Sequence, residues 1–178
     1  MNHFNYKNGE LYAEGVPMRI LAKKYGTPLY VYSSATLKRH IEAYEKAFRG
    51  VPHLTCFAVK ANSSLSVLNL LSGQGAGADV VSGGELFRAL KAGVPSGKIV
   101  YAGVGKTEDE IAYALKSGIL MFNIESVDEL KAINRVAGRM KKKASIALRV
   151  NPDIDAGTHP YITTGLKKYK FGLPMDMA

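Results

Sequence analysis

The sequence predicts a parallel α/β protein of about five βα units, and three patterns carry that prediction. Apolar runs rich in strand-forming residues recur at 54–60, 77–82, 98–103, 119–125 and 144–151. Their C-terminal ends lie about 20–26 residues apart, the period of a strand with its return helix. Directly after three of these runs stands a hydroxyl residue with glutamate three positions on: Ser82 and Glu85, Thr107 and Glu110, Ser126 and Glu129. This is the capping-box form of a helix start. Gly73, Gly93, Gly118 and Gly138 fall where those helices should stop. Two architectures satisfy the pattern: a doubly wound sheet, which five strands would complete, or a (β/α)8 barrel, of which they would be a part. A whole barrel takes roughly 250 residues, and this chain has 178.

The first 32 residues differ from the repeat. Residues 4–12 alternate loosely around Asn8-Gly9, a hairpin signal. Pro17 then opens a short helix over 18–25, stopped by Gly26, and 28–33 reads as a strand. These pieces bury little on their own, so the arm is expected to pack on something else. From Ser34 the repeat begins, and Leu37, Ile41, Tyr44 and Phe48 form one apolar stripe at helical spacing.

The run 54–60 delivers Lys60 to its C-terminal end, and Asn62-Ser63-Ser64 then offers N-cap chemistry. A lysine ending an apolar run can simply snorkel to water. In a parallel α/β fold the same position faces the mouth where ligands sit. There a partly desolvated ammonium loses its proton more easily, and the neutral amine can condense with an aldehyde. Polar residues collect at the other strand ends too: Asp79 and Ser82, Lys106, Asn123 and Glu125, then Arg149, Asn151 and Asp153. Paired Gly83-Gly84 allow close approach of backbone to a ligand, although a capped helix start explains Ser82 and Glu85 without one. Gly103-Val-Gly105-Lys106 meets neither the Walker spacing nor GxGxxG. Arg149 at a strand end can meet a carboxylate or a cofactor ring, or pair internally with Asp79 or Glu125. The stretch 152–165 holds prolines, glycines, three threonines and His159 with little apolar periodicity, the composition of a functional loop. His159 has no partner at metal-ligand spacing, so no metal is expected, and His3, His40 and His53 read as surface residues. No terminal element is evident in 172–178.

Composition narrows the classes. Hydrophobic content of 47% with 22% charged residues is that of a globular chain. A net charge of +9 suits anionic ligands and keeps nucleic acid under consideration. The lysines are nevertheless dispersed, with no aromatic platform between them and no nucleic-acid motif, so no nucleic-acid partner is expected. The run Lys141-Lys142-Lys143 marks the solvated end of a helix. Cys56 is the sole cysteine, which excludes an internal disulfide, and its apolar setting suggests a buried thiol. There is no signal peptide and no apolar span near 20 residues, so no membrane association is expected and a cytoplasmic location is.

Six motifs in order resemble the fold-type III, pyridoxal-phosphate-dependent amino-acid decarboxylases. They are Phe57-Ala-Val-Lys-Ala-Asn62, Asp79-Val-Val-Ser-Gly-Gly-Glu-Leu86, Gly103-Val-Gly-Lys106, Phe122-Asn-Ile-Glu-Ser126, Arg149-Val-Asn-Pro-Asp153 and Lys170-Phe-Gly172. Thr158-His-Pro-Tyr-Ile-Thr-Thr-Gly165, with Gly9-Glu-Leu-Tyr12 and 24–32, is similar to the branch acting on meso-diaminopimelate, not to the ornithine or arginine enzymes. The resemblance implies a TIM barrel joined to a β-sandwich domain, with pyridoxal 5'-phosphate (PLP) as cofactor and a homodimer as the working form. It divides this chain into residues 1–32, an N-terminal arm of the sandwich, and 33–178, the N-terminal portion of the PLP-binding barrel. Lys60 corresponds to the lysine that holds PLP, and Asp79 and Arg149 to residues bordering it. The implied reaction converts meso-diaminopimelate to L-lysine and carbon dioxide. In that family the histidine stacked on the cofactor and the glycine-rich phosphate cradle come later in the polypeptide, and His159 is not that histidine. On this reading residues 1–178 alone would be inactive and would associate through open strand edges and apolar arm residues. Another PLP role on a similar barrel, such as a polyamine-pathway decarboxylase, a racemase or a PLP carrier, and a basic interaction module are the alternatives.

Overall fold

The structure, a computed structural model, describes residues 2–151 and 171–175. The arm comes first. Strands β1 (Phe4–Lys7) and β2 (Glu10–Ala13) form the predicted hairpin, and Asn8 and Gly9 both take positive φ, 51° and 79°. Two successive positive φ values are what a type I′ turn requires. Strand β3 (Val16–Pro17) adds a third antiparallel member to this sheet. Helix α1 (Met18–Tyr25) follows and stops at Gly26, with φ 81°, as predicted. The expected strand over 28–33 does not form. A strand exists through its ladder, and no described element pairs with this segment; Leu29, Tyr30 and Tyr32 are exposed.

Glu14 ties the arm to the rest. Its carboxylate accepts hydrogen bonds from the Ser33 hydroxyl (2.8 Å), the Ser34 hydroxyl (3.1 Å) and the Ala35 amide (3.0 Å) at the start of helix α2 (Ser34–Ala47). These bonds, the Ala35 amide first among them, lower the Glu14 pKa. The apolar stripe of α2 is only half used: Ile41 is buried, while Tyr44 and Phe48 are exposed.

The five predicted strands are all present, shorter than their apolar runs. They are β4 (Cys56–Ala58), β5 (Gly77–Val80), β6 (Ile99–Tyr101), β7 (Met121–Ile124) and β8 (Ile146–Leu148). They form one parallel sheet in the order β4-β5-β6-β7-β8. That order decides between the two architectures. A doubly wound sheet reverses its strand order at a switch point, whereas each strand of a barrel lies beside its successor. The sheet is therefore a section of a (β/α)8 barrel wall. Helices α3 (Leu65–Gly73), α4 (Gly83–Lys91), α5 (Glu108–Ser117) and α6 (Val127–Arg139) alternate with the strands.

A further strand lies where none is evident in the sequence. After Arg149 the chain re-forms as β9 (Val150–Asn151), and β10 (Leu173–Pro174) pairs with it in parallel, Leu173 opposite Val150 and Pro174 opposite Asn151. The Leu173 amide also donates to the Arg149 carbonyl at 2.7 Å. Gly172 makes that approach possible: its φ is 122°, and a Cβ there would lie 2.9 Å from the Arg149 carbonyl oxygen.

The helix ends refine the capping prediction. Only Thr107 and Glu110 form a reciprocal box. Ser82 and Ser126 do cap through their hydroxyls, but Glu85 and Glu129 reach one residue further back, to the amides of Val81 (2.8 Å) and Glu125 (2.9 Å). Both glutamates thereby clamp the residue that leaves the strand. Ahead of α3, Asn62 rather than Ser64 acts, accepting from the Ser64 amide at 3.0 Å. Gly93 and Gly118 stop helices with positive φ, but Gly73 and Gly138 are helical, and Gly75 (φ 94°) and Lys141 (φ 53°) make those turns.

Strand alternation sorts the two faces of the wall. Ala78, Val80, Ile99, Tyr101, Phe122 and Ile124 are buried in one cluster with Leu86, Ala89, Ile111, Ala114, Ile133 and Val136 of the helices. Each of the larger side chains removed from water there contributes about 1.5–3 kcal/mol. The intervening residues Asp79, Asn123 and Glu125 point to the other face, where the cleft lies.

Candidate active site

A cleft of about 740 Å³ opens at the C-terminal ends of the strands. Lys60, Asp79, Asn123, Glu125 and Arg149 supply its polar lining, and Val81, Ala102, Leu148 and Phe171 are among its apolar walls. The three residues singled out in the sequence, Lys60, Asp79 and Arg149, thus meet in one cavity. Strand pairing brings them there: Ala58 pairs with Asp79, so Lys60 emerges just past β4 on a single 3-10 turn, Val59–Ala61, beside the Asp79 strand.

Lys60 itself is exposed, not partly buried as its apolar run suggests. Its ammonium makes no hydrogen bond or ion pair to another described residue. Asp79 bears the desolvation instead. Burial pushes the Asp79 pKa up, opposed by the charges of Lys60 and Lys106, and its Oδ1 is a buried oxygen with no donor among the described residues. Cys56, two places before Ala58, is half-buried, and burial also pushes its thiol up.

The Asp79 shift has a sign that can be tested. A carboxyl whose folded pKa lies above its unfolded value takes up its proton more readily in the folded protein. Its charged form therefore opposes folding, an effect absent below the unfolded pKa and complete above the folded one. Asp79→Asn is expected to stabilise the cofactor-free protein at neutral pH by about 1 kcal/mol, the low end for an unsatisfied group because the cleft is half-open. That is a rise of about 2–4 °C in Tm. Thermal unfolding of both proteins at neutral pH and near pH 3 checks it, and the gain should vanish at the acid end.

Arg149 pairs with Glu125, not Asp79: its Nη1 donates to Glu125 Oε2 at 2.9 Å. Glu125 is 2% exposed, and its other oxygen accepts from the Gly103 amide at 3.2 Å. Lys106 lies behind them with 1% of its side chain exposed. Its three N–H donors go to the carbonyls of Gly103 (2.8 Å) and Asn123 (3.0 Å) and to the Glu129 carboxylate. Its ammonium also stands 5.5 Å from the Tyr101 ring centroid. Lys106 has no donor left for a phosphate. Lys98 bonds the Gly75 carbonyl at 2.9 Å, at the opposite ends of the strands.

Sequence reasoning missed the Lys106–Glu129 pair and the cleft position of Phe171. Glu129 read only as a helix cap, and nothing local in the sequence reveals that its second oxygen meets a lysine from the neighbouring loop. Residues 152–170, with the predicted functional loop, His159 and Lys170, lie outside the described residues, as does Met1. Among the described residues no group of three or more His, Cys, Asp or Glu could hold a metal ion.

Residues 34–178 match the family model of the pyridoxal-dependent decarboxylase, pyridoxal binding domain. The chain belongs to the pyridoxal-dependent decarboxylases. PLP is accordingly the cofactor of this domain. Among curated relatives, the diaminopimelate decarboxylase of Haemophilus influenzae is 56% identical over 178 residues, covering 100% of this chain and 43% of that protein. Among solved structures, diaminopimelate decarboxylase from M. jannaschii in co-complex with L-lysine superposes with a TM-score of 0.90 at 41% identity, covering 98% of this chain and 42% of the other. The Helicobacter pylori enzyme (I148L mutant) complexed with L-lysine gives 0.85 at 48%, covering 90% and 41%. The chain spans about two fifths of the length of these decarboxylases. No helix among the described residues is long and apolar enough to cross a membrane.

Proposed function

We propose that the full polypeptide carrying this chain decarboxylates meso-diaminopimelate to L-lysine and carbon dioxide with PLP, in lysine biosynthesis, as a cytoplasmic homodimer. Lys60 is the residue that binds the cofactor covalently, Asp79 and Arg149 border it, and residues 1–32 belong with a β-sandwich domain outside the barrel. One observation carries the assignment of Lys60. Of the lysines near the strand ends, Lys106 has all three donors engaged and Lys98 is bonded at the far side of the sheet, whereas the Lys60 ammonium makes no hydrogen bond to a described residue in the cleft. The substrate class is supported by the 56% identity to a diaminopimelate decarboxylase and by the L-lysine bound to similar enzymes.

The cleft's own chemistry fits PLP. Among the described residues nothing bonds the Lys60 amine, which suits the PLP aldehyde, and nothing donates to the buried Asp79 Oδ1, which suits a polar atom of a ligand. Bound PLP supplies the carbonyl carbon that an amine attacks and a ring over which the electron pair left by carbon dioxide spreads. The Lys60 nitrogen would supply that amine from the mouth of the cleft. Asp79 places a carboxylate on the adjacent strand, where the Lys60 charge partly compensates its burial. Arg149, anchored through Nη1 on Glu125, would offer its remaining donors to an anionic group in the cleft. Val81, Ala102, Leu148 and Phe171 keep part of the wall apolar.

Borohydride reduction of the PLP-treated full-length protein, followed by peptide mapping, tests the assignment. The expected label is on Lys60, and label on Lys106 or Lys98 instead would falsify it. Carbon dioxide release from meso-diaminopimelate, ornithine and arginine tests the substrate, and turnover confined to the latter two sinks the diaminopimelate reading.

A further inference from the structure

We infer that the buried pair Lys106–Glu129 is a positioning device for the cleft: it holds Glu125, and through Glu125 it sets the guanidinium of Arg149. The inference rests on the proposal that Arg149 borders the cofactor, but its geometry stands alone. Glu129 uses both oxygens, one on the Lys106 ammonium and the other on the Glu125 amide at 2.9 Å. Glu125 in turn uses both, one on the Gly103 amide at 3.2 Å and the other on Arg149 at 2.9 Å. Lys106 closes the circuit by donating to the carbonyl of Gly103, whose amide Glu125 holds, and to that of Asn123, two residues before Glu125. The loops that leave β6 and β7 are thereby locked to each other and to Arg149, the residue that follows β8.

Two features distinguish this circuit from ordinary stabilisation. A buried ion pair is weak evidence for stability, since apolar replacements of equal volume are often neutral or better. This pair also spans the loops at the cleft and not the opposite ends of the strands, where such a lock would hold the fold equally well. Its output is one partly exposed group: Arg149 is 39% exposed and lines the cavity, while Lys106, Glu129 and Glu125 are 1%, 10% and 2% exposed. Arg149 has five donors, and the described residues engage one of them at Glu125. The others are left for an anionic group of a cofactor or substrate, and on this inference their placement depends on Glu125 staying fixed.

The experiment reads Arg149 directly. In the full-length protein without cofactor, the rate of phenylglyoxal modification at Arg149 is followed by peptide mass, with exposed Arg49 as the internal reference. Two variants are compared with the parent. Lys106→Met breaks the pair, and Lys106→Met/Glu129→Leu replaces it with apolar side chains that keep the interior filled if the single variant does not fold. Arg149 is expected to react at least about fivefold faster in the variants, the scale of a coupling through a shared network. Arg149 rates equal to the parent in a folded variant would overturn the inference. PLP titration by visible absorbance supplies the second readout. Lys106→Met and Arg149→Ala should weaken binding non-additively if one acts through the other, and additive losses would sink that link. A parent protein that binds no PLP would count against the proposed function alone, because the labelling comparison needs no cofactor.

Discussion

In the full-length protein, and on the proposed role of Lys60, Lys60→Ala is expected to lower decarboxylation by at least about 10³-fold, the scale on which loss of a covalent or proton-transferring group acts. The loss should fall on chemistry and not on folding. Lys60 is exposed, has no hydrogen bond among the described residues, and sits on a turn closed by the backbone bond from the Asn62 amide to the Val59 carbonyl (3.1 Å). Removing its side chain leaves that turn intact, so stability should stay within about 0.5 kcal/mol of the parent. Arginine should not rescue, because a guanidinium does not deprotonate in a protein. A small primary amine added to Lys60→Ala should restore part of the rate by supplying the missing nitrogen. Carbon dioxide release with and without the amine, alongside the visible spectrum of bound PLP, is the measurement. A variant that keeps near-parental turnover and an unaltered spectrum would remove Lys60 from the reaction.

What the sequence disclosed and withheld follows from the range of the forces involved. Helix starts and stops are local, so Ser82, Thr107, Ser126, Gly26 and Gly118 announce themselves; each needs only a few neighbouring residues to act. The strands were legible from composition, and the convergence of Lys60, Asp79 and Arg149 follows from placing all strand ends on one face. Partnering was not legible. Residues 28–33 carry strand-forming residues but find no ladder, while Leu173–Pro174 is too short to show a period and becomes a strand only because Val150–Asn151 lies beside it. Which of Asp79 and Glu125 would take Arg149 was undecidable, since both carboxylates sit at strand ends. The structure assigns Glu125, leaving Asp79 with the desolvation and an unpartnered oxygen among the described residues. Burial of Lys106 was hidden for the same reason: its three acceptors come from its own loop, from Asn123 and from Glu129.

Gly77→Ala is expected to cost about 3 kcal/mol or more, although the change is one methyl group and the φ of Gly77 lies outside the left-handed region. The reason is the spacing of three strands. Gly77 pairs with Cys56 on β4, and its amide donates to the Thr55 carbonyl at 2.9 Å. On the other side, a Cβ would lie 2.1 Å from the Lys98 carbonyl oxygen, with Cys56 Sγ at 3.0 Å. The nearer obstacle is backbone, so no rotamer change relieves it; β5 must shift away from β6 or the pairing must open. Shortening Cys56 to alanine in the same protein should therefore recover little. Gly138→Ala is the control, because Gly138 is helical, a methyl group there would meet nothing within 4 Å, and the change should gain about 0.5–1 kcal/mol. In thermal unfolding Gly77→Ala should fall by roughly 10 °C, while Gly138→Ala rises slightly. The damage should also reach the cleft, since Asp79 lies two residues along β5 and Lys60 just past β4. A Gly77→Ala protein within about 1 kcal/mol of the parent would mean that β4, β5 and β6 are not packed at this spacing, and the register that brings Lys60 beside Asp79 would fall with it.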